Sequence, residues 1–451
     1  MSQKPMMKLG MFMEGIGHHV AAWRDPDSDA HAKLDIDHYI EIARTAERGK
    51  FDMLFLADTN ATFGADDADV WVRLSSASRL EPLTLLGALA LATKHIGLVA
   101  TMTTTYYEPF TIARMFSSLD HISKGRAGWN LVTSLAAAEA LNFSHSAHAS
   151  HADRYARAKE FAQAVLGLWD SWEDDAIIAD KEAGLYFDAD KMHFLNHKGK
   201  HFQVRGPLMM QPSPQGHPVL VQAGQSEDGR ELAAETAEVV FTVQQDLGQA
   251  KAFYADIKKR TAAYGRSPDA MKVLPGLMVV VGKTKAEAEA KYQRLQSLIH
   301  PDFGVKQLSS YFGQDLSKFP IDGPPPEPNY ANAEHGRLKV MYELAVREKL
   351  SIRQLYQRVI GQRAHRTVCG TATEIADAME LWFNEKACDG FNVLPITLPG
   401  TLADFVDYVV PELQRRGLYR KEYEGTTLRE NLGLPAPRNR YTRARKASAA
   451  E

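Results

Sequence analysis

The chain has 451 residues, of which 45% are hydrophobic and 9% aromatic, as is usual for a protein with a large core. Its 53 basic and 56 acidic residues leave a net charge of −3, which excludes the strongly basic surface typical of nucleic-acid-binding proteins. Two cysteines, Cys369 and Cys388, exclude a disulfide framework and favour a reducing compartment. The amino terminus lacks a signal-peptide core, and the most apolar stretch, 83–92, is too short to span a bilayer. We therefore expect a cytoplasmic protein without nucleic-acid or membrane partners.

Strand-like and helix-like segments alternate along the chain. Eight segments are predicted as strands, each followed by a helical pattern: 8–14, 52–58, 96–105, 126–134, 218–224, 237–243, 272–282 and 389–396. These strands are apolar on both faces, which indicates a parallel sheet covered by helices. Eight such units predict an α/β fold of the (β/α)₈ barrel type. An open doubly wound sheet is the alternative, but it usually has fewer units and a glycine-rich first turn, which this sequence lacks.

Two segments do not fit the repeat and are interpreted as insertions within one domain, 1–435. The first, about 175–217, contains a predicted hairpin that turns at Lys198–Gly199. The second, about 299–370, includes the sequence IDGPPPEPNYANAEHG (321–336), in which proline and glycine predict irregular structure. Whether this second insertion is a lid or a subunit-contact arm stays open. Residues 436–451 are interpreted as a basic tail, either solvated or wrapped around another subunit.

The sequence VGKT (281–284) resembles the end of a phosphate-binding loop. That motif requires a glycine at position 277, which is leucine here. Thr284 and Glu287 instead predict a capping box that opens the next helix.

Three histidines in HSAHASH, His145, His148 and His151, recur every third residue. This spacing could bring two or three rings together, but zinc sites usually recruit ligands from several elements. No accompanying acid or cysteine set is evident, so we predict no metal site.

The stretch PVLVQAGQSEDGRELAAE (218–235) reads as a strand that enters a helix through Gly224, Gln225 and Ser226. The free N–H groups and the dipole at a helix start favour an anion. The simpler interpretation is that Ser226 only caps the helix, which is far more common than a ligand site.

Polar residues follow most predicted strands, at the end where a barrel places its site. They are Glu14, Asp58, Thr103 to Thr105, Thr133, Ser134, Gln222, Gln244 and Gln245. This set has many hydrogen-bonding groups but few acid–base pairs or triads. It fits an enzyme whose chemistry belongs to a bound organic cofactor, although barrel mouths are also polar simply because they meet water.

Four stretches, FDMLFLAD (51–58), ISKGRAGWNLVTS (122–134), 213–242 and EYEGTTLRENLGLP (422–435), resemble one family. It is the nitrilotriacetate, dibenzothiophene-sulfone and long-chain alkane monooxygenase group of the bacterial-luciferase-like FMN-dependent monooxygenases. The resemblance implies a (β/α)₈ barrel that binds FMN as FMNH₂, supplied by a separate NAD(P)H:FMN oxidoreductase. It also implies a small organic substrate, O₂ as co-substrate, and a homo-oligomer, either a dimer or a tetramer.

The resemblance also assigns site residues. The FMN phosphate would contact Gln225, Ser226, Tyr155 and His151, the flavin ring would lie near Asp58 and Thr104, and His18 is a candidate substrate-site residue. Some alkane-oxidising relatives have a cysteine where this chain has Gly15, which argues mildly against an alkane substrate.

The substrate, the bond oxidised and any catalytic base are not readable from the sequence. Two other functions stay open. One is a metal-dependent hydrolase that uses His18, Asp58 and the histidines of 145–151, and the other is a flavin-binding protein without turnover.

Overall fold

The structure, a computed structural model, describes residues 5–62, 72–328, 335–361, 363 and 365–442. Its centre is a closed ring of eight parallel strands. They are β1 (Lys8–Phe12), β2 (Met53–Leu56), β3 (Gly97–Thr103), β4 (Ala127–Val132), β9 (Val219–Gln222), β10 (Val239–Thr242), β11 (Lys272–Val281) and β13 (Gly390–Pro395). The ring closes because β13 pairs with both β1 and β11, and β11 pairs with β10. The predicted (β/α)₈ barrel is confirmed, and each predicted strand segment contains one of these strands.

Helices surround the ring. The connecting helices are α1 (Ile36–Arg48), α2 (Pro82–Ala92), α3 (Pro109–Ser123), α4 (His151–Trp169), α5 (Glu227–Thr236), α6 (Leu247–Ala263), α7 (Lys285–Ser297) and α11 (Ala372–Asn384). Thr284 caps α7 as predicted, accepting a hydrogen bond from the Glu287 N–H at 3.2 Å. The predicted capping box is only half formed, because the Glu287 carboxylate accepts from the N–H of Lys283 at 3.0 Å instead.

The strands divide the core into an inner and an outer layer, because successive side chains point to opposite faces. Phe12, Phe55 and Val221 pack inside the ring, whereas Trp129 and Leu131 pack outside it against helices. After β13 follow α12 (Gly400–Asp404), a π-helical turn (Phe405–Val409), α13 (Val410–Arg415) and α14 (Leu428–Leu432). The last helix closes the amino end of the barrel, because a Cβ on Gly97 would lie 2.9 Å from Cδ2 of Leu428.

The first insertion consists of two antiparallel hairpins. The first pairs β5 (Ile177–Asp180) with β6 (Leu185–Phe187), and the second pairs β7 (His197–Lys198) with β8 (Gln203–Val204). The second hairpin is the one that the sequence predicts at Lys198–Gly199.

The second insertion contains α8 (Pro301–Phe312), α9 (His335–Glu348), α10 (Ile352–Ile360) and a ninth parallel strand, β12 (Arg366–Gly370). Irregular structure is found for 321–328, as predicted, but the prediction is wrong for residues 335 and 336, which begin α9. Residues 329–334 lie outside the described part. Buried side chains of α8 and α10, including Phe303, Leu308 and Leu355, form a core of their own, which makes this insertion a packed helical unit.

The first residues of the basic tail pack against the body of the same chain. The Arg440 guanidinium donates to the Asp170 carboxylate at 2.9 Å, and the Tyr441 ring stacks on His193 at 4.0 Å between centroids. The division at residue 435 stays a prediction, and residues 443–451 lie outside the described part. In the segments that the structure covers, we find no helix with the length and apolar character needed to cross a membrane.

Candidate active site

The carboxyl ends of the barrel strands surround an aromatic floor. The rings of Phe12, Phe55 and Phe241 contact one another with centroid separations of 5.0, 5.6 and 5.5 Å. Each comes from a different strand and points into the barrel. The mouth of the barrel therefore has an apolar base, which excludes water from whatever binds above it.

The turn after β9 is shaped by two glycines. A Cβ on Gly224 would lie 2.8 Å from Cα of Gly229, and one on Gly229 would lie 2.9 Å from Cα of Gly224. The strand end and the first turn of α5 therefore touch backbone to backbone. Ser226 is the N-cap of α5, and its hydroxyl accepts a hydrogen bond from the Gly229 N–H at 3.1 Å. The predicted capping role of Ser226 is confirmed, and both Ser226 and Gln225 face solvent.

The start of α4 meets the start of α5. The Tyr155 hydroxyl lies 3.5 Å from the Ser226 hydroxyl, and the His151 ring lies on Tyr155 with centroids 4.6 Å apart. Four residues that the family resemblance assigned to one subsite, from two segments, are thus neighbours. They are His151, Tyr155, Gln225 and Ser226.

Two acidic residues lie in the first turn of α5, and one of them, Asp228, contacts this cluster through His151. Asp228 pairs with Nδ1 of His151 at 3.2 Å, and Glu227 pairs with Arg230 at 3.0 Å and with Arg260 at 2.6 Å. The two arginines offset the charge of Glu227, whereas Asp228 places a carboxylate beside His151 at the edge of the cluster.

The two residues assigned to the flavin ring lie on neighbouring strands. Asp58 follows β2, and burial raises its pKa to about 6, although Arg79 lies 3.8 Å away. Thr104 follows β3 and is fully buried, with its N–H and hydroxyl both donating to the carbonyl of Val132 at 2.9 and 3.2 Å. The carboxyl of Asp58 thus reaches the mouth, whereas the Thr104 side chain is held against β4.

His18 lies deep at the mouth of the barrel. It is 1% exposed, and its Nε2 bonds to the carbonyl of Phe12 at 3.0 Å. Burial lowers its pKa to about 3, so the imidazole is neutral at physiological pH. The nearby Glu14 pairs with Lys33 at 3.6 Å.

Two histidines of HSAHASH, His148 and His151, have different hydrogen-bonding or ionic partners. The hydroxyl of Tyr106 lies 2.6 Å from Nδ1 of His148, and His151 pairs with Asp228. Across the described ranges, no three His, Cys, Asp or Glu side chains are grouped as metal ligands. The metal-dependent hydrolase therefore finds no support.

The sequence did not reveal a hydrogen-bonded cluster beside Asp58 that centres on Glu139. The buried carboxylate of Glu139 accepts from the Ser134 hydroxyl at 2.9 Å and from the Asn60 side chain at 3.2 Å. Ser134 was noted only as a polar strand end, and it adopts a left-handed conformation, with φ of 53°. Nothing in the alanine-rich sequence around Glu139 signals this role, because its partners come from two other segments.

The sequence also did not indicate His365, which precedes β12. The imidazole fills the space above Gly276, where a Cβ would lie 2.8 Å from Cε1. The Thr371–Glu374 capping box, which both side chains complete, is a sequence signal for the helix after β12. It could have located the strand and hence the histidine.

The sequence matches the luciferase-like monooxygenase profile over residues 16–386. The chain is 54% identical over 447 residues to nitrilotriacetate monooxygenase component A of Aminobacter aminovorans, covering 97% of this chain and 99% of that protein. It is 52% identical over 445 residues to N-acetyl-S-(2-succino)cysteine monooxygenase of Bacillus subtilis (strain 168), covering 98% and 100%.

Among solved structures, a long-chain alkane monooxygenase superposes with a TM-score of 0.83 at 37% identity, covering 96% of each chain. This similarity extends over the insertions as well as the barrel. The resemblance that the sequence suggested is thereby confirmed.

Proposed function

The chain belongs to the luciferase-like monooxygenase family and is a flavin-dependent monooxygenase, and from this premise we propose how it works. It is the oxygenase component of a two-component system that receives FMNH₂ from a separate NAD(P)H:FMN oxidoreductase. With O₂, it oxygenates a small organic substrate. The convergence of Tyr155, His151, Gln225 and Ser226 on one helix start is the observation that carries this proposal.

These four residues fit a phosphate. The α5 start supplies N–H donors and a positive dipole end, and the hydroxyls of Ser226 and Tyr155 lie 3.5 Å apart, close enough for both to contact one phosphate group. The close packing of Gly224 and Gly229 lets a ligand approach the backbone. No lysine is needed, because the N–H and hydroxyl donors and the dipole of α5 offset the negative charge of the phosphate.

The mouth fits the flavin ring. Bound there, the flavin would supply the electrons that activate O₂. Asp58 would lie at the edge of the ring with Thr104 behind it, and the rings of Phe12, Phe55 and Phe241 form a floor that keeps water out. A dry site matters because water diverts activated oxygen to hydrogen peroxide. We assign His18 to the substrate side of this floor, as a neutral hydrogen-bonding group.

The two relatives described above act, by their names, on nitrilotriacetate and N-acetyl-S-(2-succino)cysteine, which both contain carboxylates. Compounds of this type are the first that we would assay. A reductase that draws on NAD(P)H fits the cytoplasmic location expected from the two cysteines, and we expect a dimer or tetramer.

The test combines binding with turnover. The purified protein should bind FMNH₂ more tightly than reduced riboflavin, which lacks the phosphate, measured anaerobically by fluorescence. With a flavin reductase, NADH and air, a substrate panel read by mass spectrometry should show a product that contains one oxygen atom from ¹⁸O₂. Equal affinity for FMNH₂ and reduced riboflavin would contradict the phosphate site. Absence of labelled product across the panel would favour a flavin-binding protein without turnover.

A further inference from the structure

The carboxylate of Glu139 joins the connections that follow β2 and β4. Glu139 is 3% exposed and lies in the 3₁₀ helix Ala137–Phe143. Its Oε2 accepts hydrogen bonds from the hydroxyl of Ser134 at 2.9 Å, and from the backbone N–H and side-chain amide of Asn60 at 3.3 and 3.2 Å. A single carboxylate oxygen therefore holds together two segments that are distant in the sequence.

The connection after β3 belongs to the same cluster. The hydroxyl of Thr103 lies 2.8 Å from that of Ser134, and the hydroxyl of Tyr107 donates to Oδ1 of Asn60 at 3.1 Å. Thr104, which the proposed function places behind the flavin ring, lies between Thr103 and Tyr107 in the sequence. Since β2, β3 and β4 are adjacent in the barrel, the cluster links the three strand ends that border the proposed ring subsite.

Asn60 uses all of its polar groups in this cluster. Its N–H and side-chain amide nitrogen donate to Glu139, and its Oδ1 accepts from Tyr107. Its carbonyl accepts from the side-chain amide of Asn142 at 2.7 Å. Every one of these partners belongs to the connections after β3 and β4, so the conformation of residues 58–60 depends on those connections.

Asp58 lies two residues before Asn60 and depends on the same segment. The Asp58 carboxylate accepts a hydrogen bond from the backbone of Thr59 and lies 3.8 Å from Arg79. The bonds of Asn60 fix the direction of the neighbouring Thr59 N–H, so Glu139 acts on Asp58 through two intervening residues. Burial is the main cause that raises the pKa of Asp58 to about 6, and the charge of Glu139 acts in the same direction.

We propose that Glu139 is a positioning residue for the flavin ring, which holds residues 58–60 in the conformation that places Asp58 at the ring. This inference rests on the proposed function, because it concerns a residue that supports the same ring subsite. A carboxylate suits this task, since each of its oxygens can accept more than one hydrogen bond and it has no donor of its own to satisfy when ionised.

A purely structural role for Glu139 is the competing explanation. The cluster could serve only to hold the 3₁₀ helix Ala137–Phe143 against the barrel. In that case, replacing Glu139 would lower the free energy of unfolding and leave the affinity for flavin unchanged.

The test compares two replacements of Glu139 with a matched control. Glu139→Met removes both oxygens from a side chain of similar length, whereas Glu139→Gln keeps one oxygen acceptor and removes the charge. The control is Glu47→Met, because Oε1 of Glu47 likewise accepts from three N–H groups, those of residues 94–96, at 2.7, 2.6 and 3.1 Å. These bonds lie before β3 begins, at the end of the barrel opposite the mouth.

The first measurement is anaerobic fluorescence titration with FMNH₂ and with reduced riboflavin. Glu139→Met should weaken both flavins by the same factor, about tenfold or more, because the ring is common to both. Glu139→Gln should restore most of this affinity. Glu47→Met should lower the stability in urea unfolding but leave both affinities within about twofold of wild type.

The second measurement is hydrogen exchange of the flavin-free protein. Glu139→Met should speed exchange at the amide of Asn60, since local opening then breaks fewer bonds, and Glu47→Met should speed it at residues 94–96 instead. Asn60→Ala removes the side-chain bonds from the other partner and should weaken both flavins in the same way, which keeps the test decisive if Glu139→Met does not fold.

Two results would overturn the inference. One is that Glu139→Met, or Asn60→Ala in its place, leaves both flavin affinities unchanged. The other is that FMNH₂ alone is weakened, which would locate the effect at the phosphate. If the wild-type protein binds neither flavin, the proposed function itself is contradicted and the role at the ring fails with it, whereas the exchange of the Asn60 amide still shows whether Glu139 holds residues 58–60.

Discussion

The hydroxyls of Ser226 and Tyr155 lie 3.5 Å apart although 71 residues separate them in the sequence. Ser226 is the N-cap of α5, and Tyr155 lies near the start of α4. The two helix starts converge at the rim of the barrel. Neither hydroxyl is buried, so both can reach a ligand. This pair is the geometric basis of the proposed phosphate subsite.

We predict that Ser226→Ala and Tyr155→Phe each weaken FMN binding by about 1.5–3 kcal/mol, the range for a hydrogen bond to a charged group. Ser226→Ala should also lower the stability by about 1 kcal/mol, because Ser226 caps α5. Thr284→Ala is the matched control, since Thr284 caps α7 in the same way and should affect stability alone. Fluorescence titration and urea unfolding measure the two quantities, and unchanged FMN affinity in both site variants would contradict the phosphate assignment.

We predict that Gly224→Ala disrupts the same subsite through the backbone. The added methyl group would lie 2.8 Å from Cα of Gly229, so the strand end and the helix start must separate, and we expect at least a tenfold loss of FMN affinity. Gly87→Ala is the control, because a Cβ at Gly87 in helix α2 meets no atom within 4 Å. That change should raise stability by about 0.5–1 kcal/mol and leave FMN binding unaltered.

The barrel could be predicted because each of its strands and helices is marked by a pattern within its own segment of the sequence. Each barrel strand is a short apolar run, and caps such as Ser226 and Thr284 mark the helix starts. The strand β12 was missed because it has polar neighbours and is only half-buried, so it lacks the continuous apolar pattern of the strands inside the ring.

The site was only partly predictable. Residues in a contiguous motif, such as Gln225 and Ser226, can be assigned from the sequence, whereas the neighbourhood of His365 depends on how β11 exchanges one partner strand for another. Similarly, the partners of Glu139 come from residues 60 and 134. Such contacts arise from the tertiary fold, and no pattern within one segment encodes them.

We predict that the buried ion pair of Asp52 and Arg420 is critical for stability. The Asp52 carboxylate also accepts from the N–H of Leu9 at 2.7 Å, so the pair ties the amino end of the barrel to the C-terminal segment. Asp52→Ala should cost about 3–5 kcal/mol, because it leaves a buried guanidinium without its counter-charge. The control is Glu422→Ala, which removes the more exposed pair with Lys50 at 2.8 Å and should cost less than about 1 kcal/mol. Equal losses in urea unfolding would show that the buried pair has no special role.

We predict that Asp58 makes stability depend on pH between about 4 and 6. Burial raises its pKa from 3.8 to about 6, so in this window the folded state holds a proton that the unfolded state has released. The contribution of Asp58 to stability is therefore greatest below pH 4, falls as the pH rises, and is lost above pH 6. A rise in the pKa of Asp58 from 3.8 to about 6 corresponds to about 3 kcal/mol.

Asp58→Asn removes this titration. The stability difference between variant and wild type should therefore move in favour of the variant by up to about 3 kcal/mol from pH 4 to pH 7, measured by urea unfolding. If Asp58 also lies at the flavin ring, the affinity of the wild-type protein for FMN should change through the same window, and that of Asp58→Asn should not. A pH-dependent stability without a matching change in FMN affinity would place Asp58 in the barrel wall, away from the cofactor.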